Sequence, residues 1–175
     1  MRIVDESKQS SDLNEEYTRR IDLAHEQKAE IQRAFSKMKK KKPKDLDTHF
    51  HKAHDKAFSK IDCLSCANCC KTTSPIFRDI DIKRISKRLK IGEAEFSRTY
   101  LKMDEDRDLV LQQAPCAFLN PDNQCSIYEY RPQACKDYPH TDRKKIVQVL
   151  DLTLKNLSIC PAVAEVSVEV IKVYP

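Results

Sequence analysis

The sequence predicts a mainly α-helical protein, and three observations support this fold class. Apolar residues recur at steps of three, four and seven positions in several parts of the chain, as in helices with one buried face. Turn signals and short apolar runs are concentrated between Leu109 and Pro139. Hydrophobic residues make up 40% and charged residues 34% of the 175 residues, so the chain is globular with a modest apolar core.

The first 61 residues contain no cysteine, and we expect them to form an N-terminal helical hairpin. An apolar stripe with Ser11 as its N-cap predicts the first helix. The stripe consists of Leu13, Tyr17, Ile21, Ala24, Ile31, Phe35 and Met38. A lysine-rich stretch then ends at Pro43, which stops a helix. The second apolar series consists of Leu46, Phe50, Ala53, Phe58 and Ile61. These patterns predict two antiparallel helices joined near Lys42-Pro43.

Residues 62–175 are predicted to form a second domain of short helices and loops. Asp79 is placed to cap one helix, with Gly92 at the C-terminal cap of that helix. Further helices are predicted over Glu93–Met103 and Ile146–Leu157 from their apolar spacing. The last helix is expected to begin at Pro161, because proline is favoured at the first helical position.

Prolines interrupt the region from Leu109 to Pro139 at four places. Four-residue apolar runs separate these turn signals and are too short for amphipathic helices. We predict loops here, with one short hairpin around Asp122-Asn123.

The chain is predicted to be cytoplasmic. No stretch of about 18 apolar residues occurs, and the first residues lack the apolar segment of a secretory signal. Thiols stay reduced in that compartment, so eight cysteines indicate metal binding or catalysis more than a disulfide framework.

All eight cysteines fall between residues 63 and 160. The segment Cys63-Leu-Ser-Cys66-Ala-Asn-Cys69-Cys70 contains two overlapping CxxC spacings, each of which lets two thiolates converge on one metal. Soft thiolate ligands suit Zn²⁺ and iron–sulfur clusters. The other four cysteines are Cys116, Cys125, Cys135 and Cys160, and three of them lie close to a proline that fixes the chain. We predict that all eight bind metal, either zinc or iron, with iron held singly or in an iron–sulfur cluster.

The spacing leaves open how the eight thiols are shared. They could form two four-sulfur sites, one shared cluster site, or one site with leftover thiols. Several of them could instead be buried cysteines that pack as small apolar side chains. The ferredoxin spacing to a fourth cysteine followed by proline is absent.

Other polar residues are either candidate ligands or have structural roles. His49, His51, His54 and His140 are candidate ligands, although an exposed polar helix face is the commoner role for residues placed like the first three. Arg131 is expected either to donate hydrogen bonds near the thiolates or to lie on the surface. The lysine-rich stretch, Lys37 to Lys44, lacks interleaved aromatic residues, so we do not expect it to bind nucleic acid. A protein partner for the N-terminal helices is possible.

The cysteine region resembles a known family. The pattern Cys63-x2-Cys66-x2-Cys69-Cys70, then Cys116-Ala-Phe-Leu119, then Cys125-Ser-Ile-Tyr128-Glu-Tyr-Arg131-Pro132-x2-Cys135-x2-Tyr138-Pro139 is similar to the CxxCxxCC family, the YkgJ-like cysteine-cluster proteins described as zinc- or iron-chelating domains. Cys160-Pro161-Ala162-Val163 fits the same pattern. Ala67 stands where this family usually has glycine. The resemblance covers about Asp62 to Val170 and implies a metal site more than an activity.

Three functions agree with these patterns. The preferred one is a metal-binding module that holds or carries zinc or iron. The second is an iron–sulfur enzyme with a cosubstrate such as S-adenosylmethionine, since a related domain occurs in flagellin lysine N-methylases. The third is an interaction protein whose basic helical hairpin binds a partner while a metal stabilises the cysteine domain.

Overall fold

The structure is a computed structural model that describes the backbone of residues 6–175 and the side chains of residues 15–175. Helices dominate this part of the chain, which confirms the mainly α fold class. In chain order the α-helices are α1 (Glu6–Glu26), α2 (Lys28–Lys41), α3 (Leu46–Phe58), α4 (Cys63–Cys66), α5 (Asn68–Thr72), α6 (Asp79–Leu89), α7 (Glu93–Tyr100), α8 (Gln133–Asp137), α9 (Leu150–Lys155) and α10 (Pro161–Ile171). Short 3-10 helices cover Tyr128–Tyr130, Ile146–Val149 and Asn156–Ser158, and the strands are β1 (Leu101–Met103) and β2 (Leu109–Leu111).

The chain forms two compact units. The terminal unit contains the described residues up to Cys66 together with Pro139–Pro175, and the middle unit contains Ala67–Tyr138. The units divide the chain at other positions than the predicted domains, 1–61 and 62–175, and that division into independent domains stays a prediction.

The C-terminal helix is the centre of the terminal unit. Helix α10 contacts α1, α2 and α3, and eight of its eleven residues are buried. A helix that is apolar around most of its circumference is stable only when neighbours surround it. The N-terminal stripe faces this core: Tyr17, Ala24, Ile31, Phe35 and Met38 are buried, Ile21 packs at the edge, and the side chain of Leu13 lies outside the described residues.

The predicted first helix is interrupted. Ser11 lies inside α1 (Glu6–Glu26) and so does not cap it, and Gln27 separates α1 from α2. Lys42 then adopts a left-handed conformation with φ 47°, and its N–H donates to the Met38 carbonyl 2.8 Å away, which closes α2. The turn before α3 therefore lies where Lys42-Pro43 predicted it.

The middle unit has a smaller core around α6, α7 and the β1–β2 hairpin. Its buried apolar residues are Phe77, Ile82, Ile85, Phe96, Leu101, Leu111, Phe118 and Ile127. The predicted helix to Met103 was too long, because α7 ends at Tyr100 and Leu101 pairs with Leu111 across an antiparallel ladder. The Gln112 side chain accounts for this stop, since its amide donates to the Leu101 carbonyl at 2.8 Å.

Two predicted caps were wrong. Gly92 does not end α6: Lys90 takes the left-handed position with φ 58°, and Gly92 precedes α7 with an ordinary φ of -70°. Asp79 is the first residue of α6 rather than its cap. The capping carboxylate is that of Asp81, which is fully buried and accepts the N–H of Arg78 at 3.2 Å.

The turn at Asp122-Asn123 agrees with the prediction. Leu119 and Cys125 form an antiparallel bridge on either side of it, and Asn123 has a left-handed φ of 66°. None of the described helices combines the length and the apolar character that a membrane crossing requires.

Candidate metal centres

Asp62 positions the first two cysteines. Its N–H donates to the Tyr17 hydroxyl at 3.3 Å, and its carboxylate accepts the Leu64 N–H at 3.0 Å and the Ser65 hydroxyl at 2.7 Å. These bonds satisfy donors at the start of a helix, so α4 begins directly after Asp62. Cys63 and Cys66 are therefore held on a single helical turn.

Cys160 lies beside these two thiols. It precedes α10, and the N–H groups of Ala162 and Val163 point toward its sulfur. Burial first, and to a smaller extent negative charge on Cys63 and Cys66, raise the pKa of the Cys160 thiol to about 11. Such an effect requires proximity. We call Cys63, Cys66 and Cys160 the terminal thiol group.

Four cysteines from separate segments meet in the middle unit. Cys70 lies on α5, and its carbonyl accepts the Cys116 N–H at 2.8 Å. Cys125 lies at the end of the Asp122-Asn123 turn, and Cys135 lies on α8. We call Cys70, Cys116, Cys125 and Cys135 the middle thiol group.

Burial and neighbouring thiols shift the pKa values of the middle thiol group. Burial first, and then negative charge on the other three thiols, raise the pKa of Cys135 to about 12. Burial, followed by charge on Cys70, also raises the pKa values of Cys116 and Cys125. Cys70 is the exception: its pKa is lowered to about 7 because the Cys69 thiol, 4.0 Å away, hydrogen-bonds to it.

Polar contacts hold the segment that carries Cys135. The buried Asp81 carboxylate accepts the Gln133 N–H at 3.1 Å and pairs with Arg84 at 2.6 Å. Arg131 donates to the Tyr128 carbonyl at 2.7 Å, and its charge acts to lower the pKa values of Cys125 and Cys135. The hydrogen bond of Arg131 thus goes to a backbone carbonyl, and donation from Arg131 to the thiolates stays a prediction.

Three of the candidate histidines have other partners. The ring of His54 bonds the Thr141 hydroxyl at 2.8 Å, and that of His51 bonds the Arg143 carbonyl at 3.3 Å. His49 lies 3.4 Å from the Asp45 carboxylate. These contacts fix the chain around α3 and account for the histidines without a metal.

The thiols of both groups suit soft metal ions, but their sulfur atoms do not yet point to a common centre. Among residues 15–175, no three His, Cys, Asp or Glu side chains are arranged to hold a metal ion as they stand. Clustered cysteines are nevertheless the ligands that zinc ions and iron–sulfur clusters use, and they bind as thiolates. Coordination would require the thiols of a group to turn toward a common centre and to lose their protons.

Grouping in space differs from grouping along the sequence. Cys70 belongs with cysteines that follow it by 46 to 65 positions, and Cys160 belongs with Cys63 and Cys66. The available local signal was Ala67, where the family usually has glycine. Its left-handed φ of 47° ends one helical turn and begins the next, so the two CxxC spacings do not continue in one helix.

A family model matches residues 62–160, more than half of the chain, and carries the description "Putative zinc- or iron-chelating domain". No curated protein and no solved structure matched the chain. The matched segment contains all eight cysteines and ends at Cys160. The chain therefore belongs to the CxxCxxCC family of zinc- or iron-chelating domains.

Proposed function

We propose that this protein binds zinc or iron through its cysteine thiolates, in two separate groups. The observation that carries the proposal is the middle thiol group: the Cys70 carbonyl accepts the Cys116 N–H at 2.8 Å, and negative charge on Cys70 acts to raise the pKa values of Cys116, Cys125 and Cys135, which lie on other segments. Four thiolates complete the ligand set of a structural zinc ion or of a cluster.

Nearby cations support this assignment. Four thiolates around Zn²⁺ carry a net charge of about -2, which a neighbouring cation stabilises. Arg131 acts electrostatically on Cys125 and Cys135, and Lys71 acts on Cys70. Both cations favour the ionised thiols that a metal requires.

The terminal thiol group is proposed as a second centre. Cys160 approaches Cys63 and Cys66 at the start of α10, where backbone N–H groups stabilise a thiolate. Cys69, the fifth cysteine of the middle unit, completes the eight proposed ligands. We propose the metal to be held or carried, as in the preferred sequence interpretation.

Metal analysis and an absorption spectrum of protein purified without oxygen test the proposal. Zinc in a colourless solution would support thiolate zinc sites. Iron with sulfide and an absorption band at about 400 nm would support iron–sulfur clusters. That result would favour the hypothesis of an iron–sulfur enzyme. Protein that contains neither metal, and takes up neither from solution, would contradict the proposal.

Single substitutions test whether there are two centres. Cys135→Ser should remove the metal of the middle thiol group, and Cys160→Ser that of the terminal thiol group, with the double variant losing both. Ser158→Ala, an exposed change two positions before Cys160, serves as the control and should keep full metal content. Complete loss of metal from each single variant would instead indicate one shared cluster.

A further inference from the structure

Helix α6 presents a positively charged face to solvent. Asp81, Ile82, Ile85 and Ser86 are its buried residues. At 100° per residue, the opposite face carries Ile80, Lys83, Arg84, Lys87 and Arg88. Ile80 is 68% exposed, and Lys83, Lys87 and Arg88 are exposed as well. This face therefore holds four cations and one apolar side chain.

Two exposed tyrosines border this face. Tyr128 and Tyr130 belong to the 3-10 helix Tyr128–Tyr130, and each is 39% exposed. The Arg88 guanidinium lies 5.6 Å from the centre of the Tyr130 ring, and that of Arg131 lies 3.8 Å from the centre of the Tyr128 ring. Both pairs have the geometry of cation–π contacts.

Arg84 fixes the tyrosines against α6. Its guanidinium donates to the Tyr130 carbonyl at 3.3 Å and to the Arg131 carbonyl at 2.9 Å. The same group pairs with the buried Asp81 at 2.6 Å, so Arg84 is held from both sides. The tyrosine rings and the helix face consequently form one ordered surface. We call it the arginine–tyrosine surface.

Its outer cations have no counter-charge among the side chains that the structure describes. No carboxylate among residues 15–175 lies within ion-pair distance of Lys83, Lys87 or Arg88. In contrast, Lys39, Lys56 and Lys172 of the terminal unit each pair with a carboxylate. Unpaired cations beside exposed aromatic rings can bind a ligand that carries both phosphates and planar rings.

We propose that the arginine–tyrosine surface binds single-stranded nucleic acid. The cations of α6 contact phosphates, and the tyrosines stack on bases, which is how strands are bound without regular base readout. A duplex would hide its base faces from the tyrosines. A membrane would need several protruding apolar side chains, and Ile80 is the single exposed aliphatic residue on this face of α6.

This surface is distinct from the lysine-rich stretch of the terminal unit. That stretch has cations without exposed aromatic rings, which is why its sequence gave no expectation of nucleic-acid binding. The aromatic residues occur instead in the middle unit, nearly 50 positions after Lys83 in the sequence. Folding brings them to α6, so no local pattern in the sequence displays the combination.

A matched pair of charge reversals tests the proposal. The probe is a fluorescein-labelled 15-nucleotide oligouridine, and its anisotropy is followed with the full-length, metal-loaded protein at several salt concentrations. Lys83→Glu/Lys87→Glu should weaken binding at least about tenfold and lower the salt slope by about 0.7 per lost phosphate contact. Lys40→Glu/Lys41→Glu makes the same change of charge in the terminal unit and should alter binding less than about twofold.

The tyrosine contribution is tested separately. Tyr130→Leu should weaken binding by about fivefold or more, whereas Tyr130→Phe keeps the ring and should retain affinity. Equal losses from the two charge reversals, or no binding by the wild type, would overturn the proposal. So would binding to anionic phospholipid vesicles that depends on Lys83 and Lys87 when oligouridine binding does not. Metal content and circular dichroism of each variant establish that the fold is intact.

Discussion

The two units of this protein are stabilised in different ways. The terminal unit buries twenty residues around α10, from Tyr17 to Ile171, and most of them come from regular helices. The middle unit, Ala67–Tyr138, is shorter and buries eight apolar residues in its core cluster. A small core leaves little net stability after the entropy of ordering the chain. From this comparison we expect the middle unit to rely more on metal bound by its thiol group and on buried polar contacts.

Removal of metal should have the largest effect, and it should separate the units. With a strong chelator at pH 7, amides of residues 67–138 should lose most of their protection from hydrogen exchange, because metal binding energy is also folding energy. Amides of α2, α3 and α10 should stay protected, since apolar burial stabilises them. Mass-spectrometric hydrogen exchange measures both together.

The control for this experiment is re-addition of the metal found in the purified protein, which should restore protection in residues 67–138. Equal loss of protection in both units would contradict the distinction drawn between them. Unchanged protection in the middle unit would show that its small core is sufficient by itself.

Metal affinity of the middle thiol group should depend steeply on pH. At pH 7, Cys116, Cys125 and Cys135 are protonated because their pKa values are raised, whereas Cys70, with a pKa of about 7, is about half ionised. Binding should therefore release about 3.5 protons, rising toward four at pH 6 and falling toward three at pH 8. Affinity should fall by at least about a thousandfold for each unit of decreasing pH.

Calorimetric titration in two buffers of different ionisation enthalpy measures the proton release. The variant Cys63→Ser/Cys66→Ser isolates the middle thiol group by removing two ligands of the terminal one. Release of fewer than about two protons would mean that the thiols of the middle group are not the ligands.

Substitutions of two carboxylates, one in each unit, should change the free energy of unfolding by intermediate amounts. Asp81 accepts two backbone N–H groups and pairs with Arg84 while fully buried. Asp47 of the terminal unit accepts the N–H groups of Lys145 and Ile146 at 2.6 and 2.9 Å but is only half-buried. Asp81→Asn should destabilise the middle unit by about 3 kcal/mol, because Arg84 loses its counter-charge.

Asp47→Asn is the matched change and should cost about 1 kcal/mol, since the amide oxygen retains one of the two hydrogen bonds. Exchange of the Gln133 amide reports the first substitution, and exchange of the Ile146 amide reports the second. If both variants were destabilised equally, buried polar contacts would be no more important in the middle unit than in the terminal one.

The same contrast explains what could be predicted from the sequence. A buried helix face repeats at a local period, so it could be predicted from the spacing of Ile31, Phe35 and Met38. The start of α10 could be predicted from Pro161. The fold class followed from these patterns. Long-range relations were not predictable: Gln112 ends α7 through a contact with Leu101, and no periodicity encodes that contact.

The candidate site divides in the same way. The eight cysteines were visible from their number and spacing, whereas their partition was not. In the sequence, Cys160 was grouped with the other late cysteines, Cys116, Cys125 and Cys135. In the structure it lies beside Cys63 and Cys66. Spacing reports which ligands share a turn, and it carries no information on which distant segment packs against that turn.

The smallest predicted effect concerns backbone strain at Ala67. Ala53 and Ala67 are similarly buried, at 6% and 3% exposure, but Ala53 lies within α3 and Ala67 is left-handed. Ala53→Gly should cost about 1 kcal/mol in helix propensity and about 0.8 kcal/mol in lost burial of a methyl group. Ala67→Gly loses the same methyl, but it relieves about 1 to 2 kcal/mol of left-handed strain.

Relief and loss should nearly cancel at Ala67, so Ala67→Gly should change stability by less than about 1 kcal/mol, while Ala53→Gly destabilises by about 2 kcal/mol. Urea unfolding of the metal-loaded variants, followed by circular dichroism, measures the difference. A cost at Ala67 as large as that at Ala53 would mean that alanine is unstrained there. The family's usual glycine would then need another explanation, such as close approach of the backbone to the bound metal, because left-handed geometry alone would not favour it.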